Sequence, residues 1–269
     1  METYNFLCDP NGIYYLGPEG SFSHQASTLL SGKLIPKPTI KDIFVAVNNS
    51  LDALGVVPVE NSIEGPVNET LDNLFAFDGI YSVYSIEIQI DLVLASKSDL
   101  SKVKKIYSHN HAIREAQNNL EKLGVTNFVP VESTSKAALM ANNDRESAAI
   151  CSSFAAKLYN LEILYDKIQD GVNITKFLVI SKKMRTDGNK AIFLFTVPHK
   201  PGGLYRVIEK FYLKNINLTM IYSRPLRNTP WNYYFYLEFE NFDNLSTLEK
   251  DVREVVIELK NKGSYTKLT

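Results

Sequence analysis

Apolar positions fall into two rhythms along the first two-thirds of the chain. Short apolar runs predict strands at Ile13 to Leu16, Leu54 to Val59, Tyr81 to Leu94, Lys105 to Tyr107, Asn127 to Val131, Ala148 to Cys151 and Phe177 to Ile180, where turn residues bound each run. Between them, apolar residues at helical spacing predict helices from Ser21 through about Ser31, over Val45 to Leu54, Val67 to Phe75 and His111 to Leu123, from Glu132-Ser133-Thr134-Ser135 to near Asn142, and over Phe154 to Tyr159. Strands that alternate with helices imply right-handed crossovers and mainly parallel sheets covered on both faces. The fold class is α/β.

The rhythm changes after a polar, glycine-containing segment, Lys182 to Lys190 ("KKMRTDGNK"), which reads as a linker. Beyond it the order is strand (Ala191 to Val197), helix (Gly203 to Lys214), strand (Asn217 to Ser223), strand (Trp231 to Phe239) and helix (Leu245 to Lys260), with room for one more short strand near Ser264 to Leu268. That is a compact α+β unit. No tandem repeat or low-complexity tract interrupts either part.

Composition narrows the function classes. A length of 269 residues suits about two domains, and 45% hydrophobic with 22% charged residues is a soluble globular balance. A net charge of −1, with no basic run interleaved with aromatics, argues against nucleic acid or an anionic membrane surface as partner. No apolar run reaches membrane-span length and Met1 to Gly12 lacks a basic leader pattern, so a cytoplasmic protein is expected. The sequons at Asn68, Asn173 and Asn217 are then chance. Cys8 and Cys151 have no metal-site spacing; one reads as a surface thiol and the other as a small buried residue.

Three polar turns share one design, a strand end followed by the start of a helix: Gly20-Ser21-Phe22-Ser23, Glu60-Asn61-Ser62 and Ser133-Thr134-Ser135. Each is an ordinary N-cap by residue preference. Together, and with Ser108 after the strand ending at Tyr107, they also suit a small anionic ligand, because unpaired N–H groups at helix starts gather at the carboxyl ends of parallel strands. Both readings stay open. His109-Asn110-His111 has no further ligand at zinc spacing. No Walker loop, no Gly-x-Gly-x-x-Gly and no Gly-x-Ser-x-Gly frame is present. Neither cofactor nor metal is expected. In "GVNITKFLVIS" (Gly171 to Ser181), Thr175 is either a β-branched strand filler or a hydroxyl that faces a pocket with Lys176 beside it.

Five blocks carry a resemblance: "YYLGPEGSFSHQA" (Tyr14 to Ala26), "VVPVENSIEGPVNETLDNL" (Val56 to Leu74), "YSH" (Tyr107 to His109), "ESTSKAA" (Glu132 to Ala138) and "NITKFLVI" (Asn173 to Ile180). In order and spacing they resemble prephenate dehydratase. "VPHKPGGLYRVIEKF" (Val197 to Phe211), "INLTMIYSRP" (Ile216 to Pro225) and "WNYYFYLE" (Trp231 to Glu238) resemble the ACT regulatory domain that follows in that family. The resemblance implies two periplasmic-binding-protein-like (type II) subdomains with the active site in the cleft between them, and a ferredoxin-like ACT domain after them. It divides the chain into an extension (1–12), a catalytic part (13–182), a linker (183–190) and the ACT domain (191–269). Subdomain 1 would take about 13–85 plus 170–182, and subdomain 2 about 86–169.

The resemblance also implies the chemistry. Prephenate, with two carboxylates and a ring hydroxyl, loses water and carbon dioxide to give phenylpyruvate, and the departing hydroxyl is assisted by Thr175. Substrate contacts would come from Ser21, Asn61, Ser62, Ser108, Glu115, Glu132, Ser133, Thr134, Ser135, Lys176 and Phe177. L-phenylalanine would bind at Gly202, Gly203, Leu204, Asn217, Leu218, Ser223 and Arg224 and act by feedback, in a homodimer or homotetramer. The chain departs from the family pattern at Lys176, where arginine is usual, at Asn110-His111 in place of Pro-Gln, at Glu115 in place of glutamine, and at Tyr222 in place of the glutamate before Ser-Arg-Pro. Tyr222 removes a carboxylate that could organise Arg224. Arogenate as substrate, or a catalytically weakened sensor of an aromatic amino acid, are the alternatives these departures leave.

Overall fold

The structure is a computed structural model and describes residues 11–124, 126–226 and 229–268. The expectations for Cys8 and for most of the N-terminal extension lie outside the described residues. In chain order the elements are β1 (Gly12–Leu16), α1 (Phe22–Ser27), β2 (Leu34–Lys37), α2 (Ile40–Asn48), β3 (Ala53–Asn61), β4 (Gly65–Pro66), α3 (Asn68–Ala76), β5 (Tyr81–Gln89), β6 (Leu92–Ser96), β7 (Lys105–Ser108), α4 (Asn110–Glu115), α5 (Gln117–Lys122), β8 (Phe128–Pro130), α6 (Thr134–Asn142), β9 (Ser147–Ser152), α7 (Ser153–Leu158), β10 (Glu162–Tyr165), β11 (Ile174–Ser181), β12 (Lys190–Thr196), α8 (Gly203–Tyr212), β13 (Asn217–Pro225), β14 (Tyr233–Glu240), α9 (Leu245–Arg253) and β15 (Glu258–Lys267).

Local chemistry accounts for the elements. Thr39 caps α2 by accepting from the Asp42 N–H at 3.1 Å, and Ile40, Ile43, Phe44 and Val47 then recur on one buried face. The helix therefore starts before Val45, where the sequence pattern placed it. Three other elements differ from the expected pattern. The strand expected over Tyr81 to Leu94 is two strands, because Ile90 and Asp91 cross from one sheet to another. The helix expected to run to Lys260 stops at Arg253, and Glu258 to Lys267 forms a long strand instead. The helix expected over His111 to Leu123 breaks at Ala116 into α4 and α5.

The expectation of mainly parallel sheets is corrected to mixed ones. The five-stranded sheet has the order β10-β6-β9-β7-β8, antiparallel across β10-β6-β9 and parallel across β9-β7-β8. The other runs β5-β11-β3-β1-β2 with the same succession, antiparallel and then parallel. The antiparallel pairs arise where the chain passes between the sheets, at 90–91 and 166–173. These two passages are tied to each other: Ile90 N–H donates to Asn173 O at 2.8 Å, and Asp91 Oδ1 accepts from the Gln169 amide at 3.2 Å.

The C-terminal strands take the order β13-β14-β12-β15, all antiparallel, with α8 and α9 on one face. They do not stand apart. β15 pairs with β5 in parallel at Thr266↔Tyr84 and Lys267↔Ser85, so one sheet runs through both units. The opposite face of β12 to β14 packs on β3, β11, α2 and α3 in a shared core of Ile192, Leu194, Tyr236, Val57, Leu178 and Phe44. The polar segment between the units is anchored by Arg185, which stacks 4.5 Å from the Tyr84 ring and donates to Val83 O.

Candidate active site

Between the two sheets lies a cleft of about 390 Å³. Its floor is apolar, with Phe22, Pro58, Ile90, Leu92 and Phe177. Its rim is polar, with Ser21, Asn61, Glu64, His109, His111, Glu115, Glu132, Ser133, Thr134, Ser135, Asn173 and Thr175.

Thr175 stands near the start of β11, opposite Asn61 at the end of β3. The Asn61 amide nitrogen donates to Thr175 Oγ1 at 2.9 Å and to Asn173 Oδ1 at 2.6 Å. The amide cannot be turned round, because Asn61 Oδ1 accepts from the Ile63 and Glu64 N–H groups at 3.0 and 2.9 Å. Thr175 is therefore an acceptor toward Asn61, which leaves its own proton available to another acceptor at the cleft it lines. Asn173 is buried and was not singled out from the sequence as a site residue, although it opens the Asn173 to Ile180 block. Glu64 was also missed; its Oε1 lies 2.8 Å from His111 Nδ1 and links the sheets at the cleft mouth.

Helix starts contribute from both sides. Ser21 caps α1 by accepting from His24 N–H, and its hydroxyl donates to Leu16 O. Ser133 caps α6 by accepting from Lys136 N–H at 3.0 Å. The turn before α1 is held by His24, whose Nδ1 accepts from Gly20 N–H while its ring stacks on Tyr15 at 4.8 Å. Burial lowers the His24 pKa. Across the cleft, Ser135 and Tyr159 both donate to Glu19 O. Gly20 sits at φ +81°, and a Cβ there would lie 2.6 Å from Ser135 Oγ.

Three expected substrate residues are elsewhere. Lys176 does not line the cleft: side chains alternate along β11, so Thr175 and Phe177 face it and Lys176 points to the opposite face. There its amine pairs with Glu238 of β14 and lies 5.6 Å from the Tyr265 ring. Ser108 is fully buried and donates to Ile150 O beneath the site. Ser62 fastens β11 to the β3–β4 turn by accepting from Ile174 N–H at 2.9 Å. Nor is Glu60-Asn61-Ser62 a helix start, because β4 intervenes and α3 begins after Val67 without a side-chain cap.

The electrostatics of the cleft follow. None of its described lining residues is lysine or arginine, and three are glutamates: Glu64, Glu115 and Glu132. His109, whose pKa is lowered by burial and by neighbouring His111, is a hydrogen-bonding group more than a charge. The groups in the cleft wall that could face an anion are therefore helix-start N–H groups and neutral hydroxyls. Among the described residues, no trio of His, Cys, Asp and Glu is grouped as a metal site. No described helix is long and apolar enough to cross a membrane. Cys151 is buried, and burial pushes its thiol up to about 12.

The expected effector residues divide. Gly202, at φ +82°, and Gly203 and Leu204 begin α8; Asn217 and Leu218 open β13, and Ser223 and Arg224 close it. A strand rise of about 3.3 Å per residue separates the two ends of β13 by roughly 20 Å. Arg224 is not left without a carboxylate by Tyr222: Asp72 of α3 takes its guanidinium through Nε at 3.0 Å and Nη2 at 2.9 Å, and Tyr234 donates to the same carboxylate at 2.8 Å.

A model of the family described as prephenate dehydratase matches residues 13–185. The chain is 41% identical over 266 residues to a bifunctional chorismate mutase/prephenate dehydratase of Aquifex aeolicus (strain VF5), spanning 95% of this chain and 73% of that one. A solved prephenate dehydratase from Arthrobacter aurescens in complex with L-Phe matches with a TM-score of 0.85 at 25% identity, over 95% of this chain and 90% of that one. A solved chain described as GqqA, a novel type of quorum quenching acylase, matches with a TM-score of 0.86 at 23% identity, over 96% of this chain and 98% of that one, which is a likeness of fold.

Proposed function

The chain belongs to the prephenate dehydratase family and is a hydro-lyase, and from that premise we propose that Thr175 assists departure of the prephenate ring hydroxyl under feedback from L-phenylalanine. The observation that carries this reading is the Asn61–Thr175 hydrogen bond, which leaves the threonine proton available to an acceptor at the cleft. The C–O bond breaks with a hydrogen bond from Thr175 to the leaving oxygen. The ring carboxylate departs as carbon dioxide, and its C–C bonding pair completes the aromatic ring. Solvent supplies the proton that finishes water. Aromatisation drives the step, so an aligned hydrogen-bond donor suffices without a strong acid. Phe22 and Phe177 pack the ring, and the N–H groups of α6 behind Ser133, Thr134 and Ser135 hold a carboxylate.

The C-terminal β-α-β-β-α-β order is ferredoxin-like, which supports reading it as an ACT domain, with the two sheets that precede it as periplasmic-binding-protein-like subdomains. Its expected phenylalanine residues lie at both ends of β13, so one chain cannot close a pocket around all of them. That supports an effector site shared between copies in a homodimer or homotetramer. The three cleft glutamates favour a second substrate, arogenate, whose ammonium replaces a keto group. The test is phenylpyruvate or phenylalanine formation from prephenate and from arogenate, with and without L-phenylalanine, on wild type and Thr175→Ala. We expect prephenate turnover, inhibition by phenylalanine and loss of turnover in the variant. A wild type inactive on both substrates overturns the reading, and full activity in Thr175→Ala removes the threonine from it.

A further inference from the structure

We propose that Glu238 of the C-terminal unit is a positioning residue for Thr175, acting through Lys176, and that this contact carries the state of that unit to the cleft. The inference rests on the reading of Thr175 given above.

Two neighbouring cross-strand pairs on β3 and β11 face opposite ways. Asn61 and Thr175 face the cleft, and Glu60 and Lys176 face the C-terminal unit. Adjacent Cα atoms are about 3.8 Å apart along a rigid peptide, so whatever fixes Lys176 also fixes Thr175. The β11–β3 register shifts between Lys176 and Phe177, so the ladder is irregular on that side, while the β11–β5 ladder stays in register from Ile174 to Val179. The side chain adds a second hold on the irregular side. Lys176 is 12% exposed and Glu238 is 2% exposed, so moving either leaves a buried charge without its partner.

Glu238 is held in turn from the C-terminal unit. Its Oε1 accepts from Thr219 Oγ1 at 2.7 Å and lies 3.8 Å from Lys190 Nζ. Burial opposes its ionisation, but Lys176 first, then the Tyr265 and Thr219 hydroxyls, outweigh it and keep the carboxyl below the usual range. Thr219 falls where the β13–β14 register shifts, between Leu218 and Met220. It directly follows Asn217 and Leu218, two of the expected effector residues. The Tyr236 and Tyr265 hydroxyls are buried against Glu238, and burial with that carboxylate beside them raises both phenol pKa values, so the carboxylate stays within reach of hydroxyl donors if it shifts. The link therefore meets a register shift at each end, on the β3 side of β11 and between β13 and β14, with buried hydroxyls around its middle.

The test compares wild type with Glu238→Gln, Lys176→Met, the double variant and Lys176→Arg, reading kcat and KM for prephenate and the rate ratio with and without saturating L-phenylalanine. Glu238→Gln and Lys176→Met should lower kcat about 10- to 100-fold with KM within about threefold, the signature of misplacement in the transition state. The double variant should be no worse than the worse single one, because one interaction is lost in each. Lys176→Arg should restore most of kcat, because a guanidinium also pairs with a carboxylate. In the two single variants phenylalanine should change the rate less than about twofold, a limit that stands for lost coupling energy. A Glu238→Gln enzyme with wild-type kcat, or multiplicative losses in the double variant, overturns positioning. Intact phenylalanine inhibition in a Glu238→Gln enzyme with lowered kcat overturns the coupling. If the charge variants do not fold, Thr219→Val, which deletes one donor to Glu238, must weaken the phenylalanine response, and an unchanged response overturns the coupling in that form. Failure of the underlying reading shows separately, in wild type or Thr175→Ala.

Discussion

Asn61 gives its amide proton to Thr175 at 2.9 Å, and the direction of that bond is set by two backbone N–H groups that occupy the other end of the amide. A carboxylate at position 61 would reverse it. Asn61→Asp would accept the Thr175 proton and turn it away from the cleft, and would also add negative charge beside an anionic substrate. The expected loss in kcat/KM is about 100-fold or more, on the scale of removing one oriented donor. Steady-state phenylpyruvate formation reads it, and a loss below about threefold would show that the orientation of Thr175 is not used.

Glu115 stands at the cleft, whose described lining residues include no lysine or arginine. Replacing it with glutamine removes a like charge from the path of a dianion. Glu115→Gln should lower KM for prephenate about 3- to 10-fold at low ionic strength, with the gain shrinking as salt screens it. Turnover of arogenate, if present, should suffer. A KM for prephenate that is unchanged or higher at low salt would remove Glu115 from contact with the bound anion.

Gly20 takes φ +81° while its missing side chain makes room for Ser135 across the cleft. Gly20→Ala adds both a strained backbone and a clash at a cross-cleft contact. It should lower the unfolding free energy by about 1–3 kcal/mol. Gly171→Ala, where nothing lies within 4 Å and φ is not in the left-handed region, is the comparison and should change stability by less than about 0.5 kcal/mol. Urea unfolding of the two variants side by side decides it; equal midpoints would mean that the turn gives way.

Lys262 of β15 is 2% exposed and donates to Phe77 O at 2.8 Å at the end of α3. Burial, with Lys260 nearby, lowers its pKa to about 8. The unfolded chain then holds this proton between about pH 8 and 10.5 while the folded chain has released it, so the contribution of Lys262 to stability rises with pH across that window. Below pH 8 the cost of burying the charge is constant. Lys262→Met should therefore gain most relative to wild type near pH 7 and lose about 1–3 kcal/mol of that advantage by pH 10. A difference between the two proteins that stays flat with pH contradicts the lowered pKa.

The legible part of the site was the part built from short motifs. Ser21, Asn61, Glu115, Glu132, Ser133, Thr134, Ser135, Thr175 and Phe177 all reach the cleft. Ser62, Ser108 and Lys176 belong to the same motifs and do not. The difference for Lys176 was available in principle, since strand alternation sends consecutive residues to opposite faces. What covered the second face was not available, because Glu238 is 62 residues away in sequence. Asn173 and Glu64 matter through partners that only folding supplies, at Asn61 and His111.

By itself, the sequence determined most of the helices and strands, the family motifs and the helix starts at Ser21 and Ser133, because caps, periodicity and turn residues act over a few positions. Only the tertiary structure decided the antiparallel returns at 90–91 and 166–173, the continuation of one sheet through β15 and β5, and the Asp72–Arg224 and Lys176–Glu238 pairs. These depend on which faces meet after the apolar surfaces are buried. Charge pairing across such faces is chosen among partners far apart in the chain, and no local rule carries that choice.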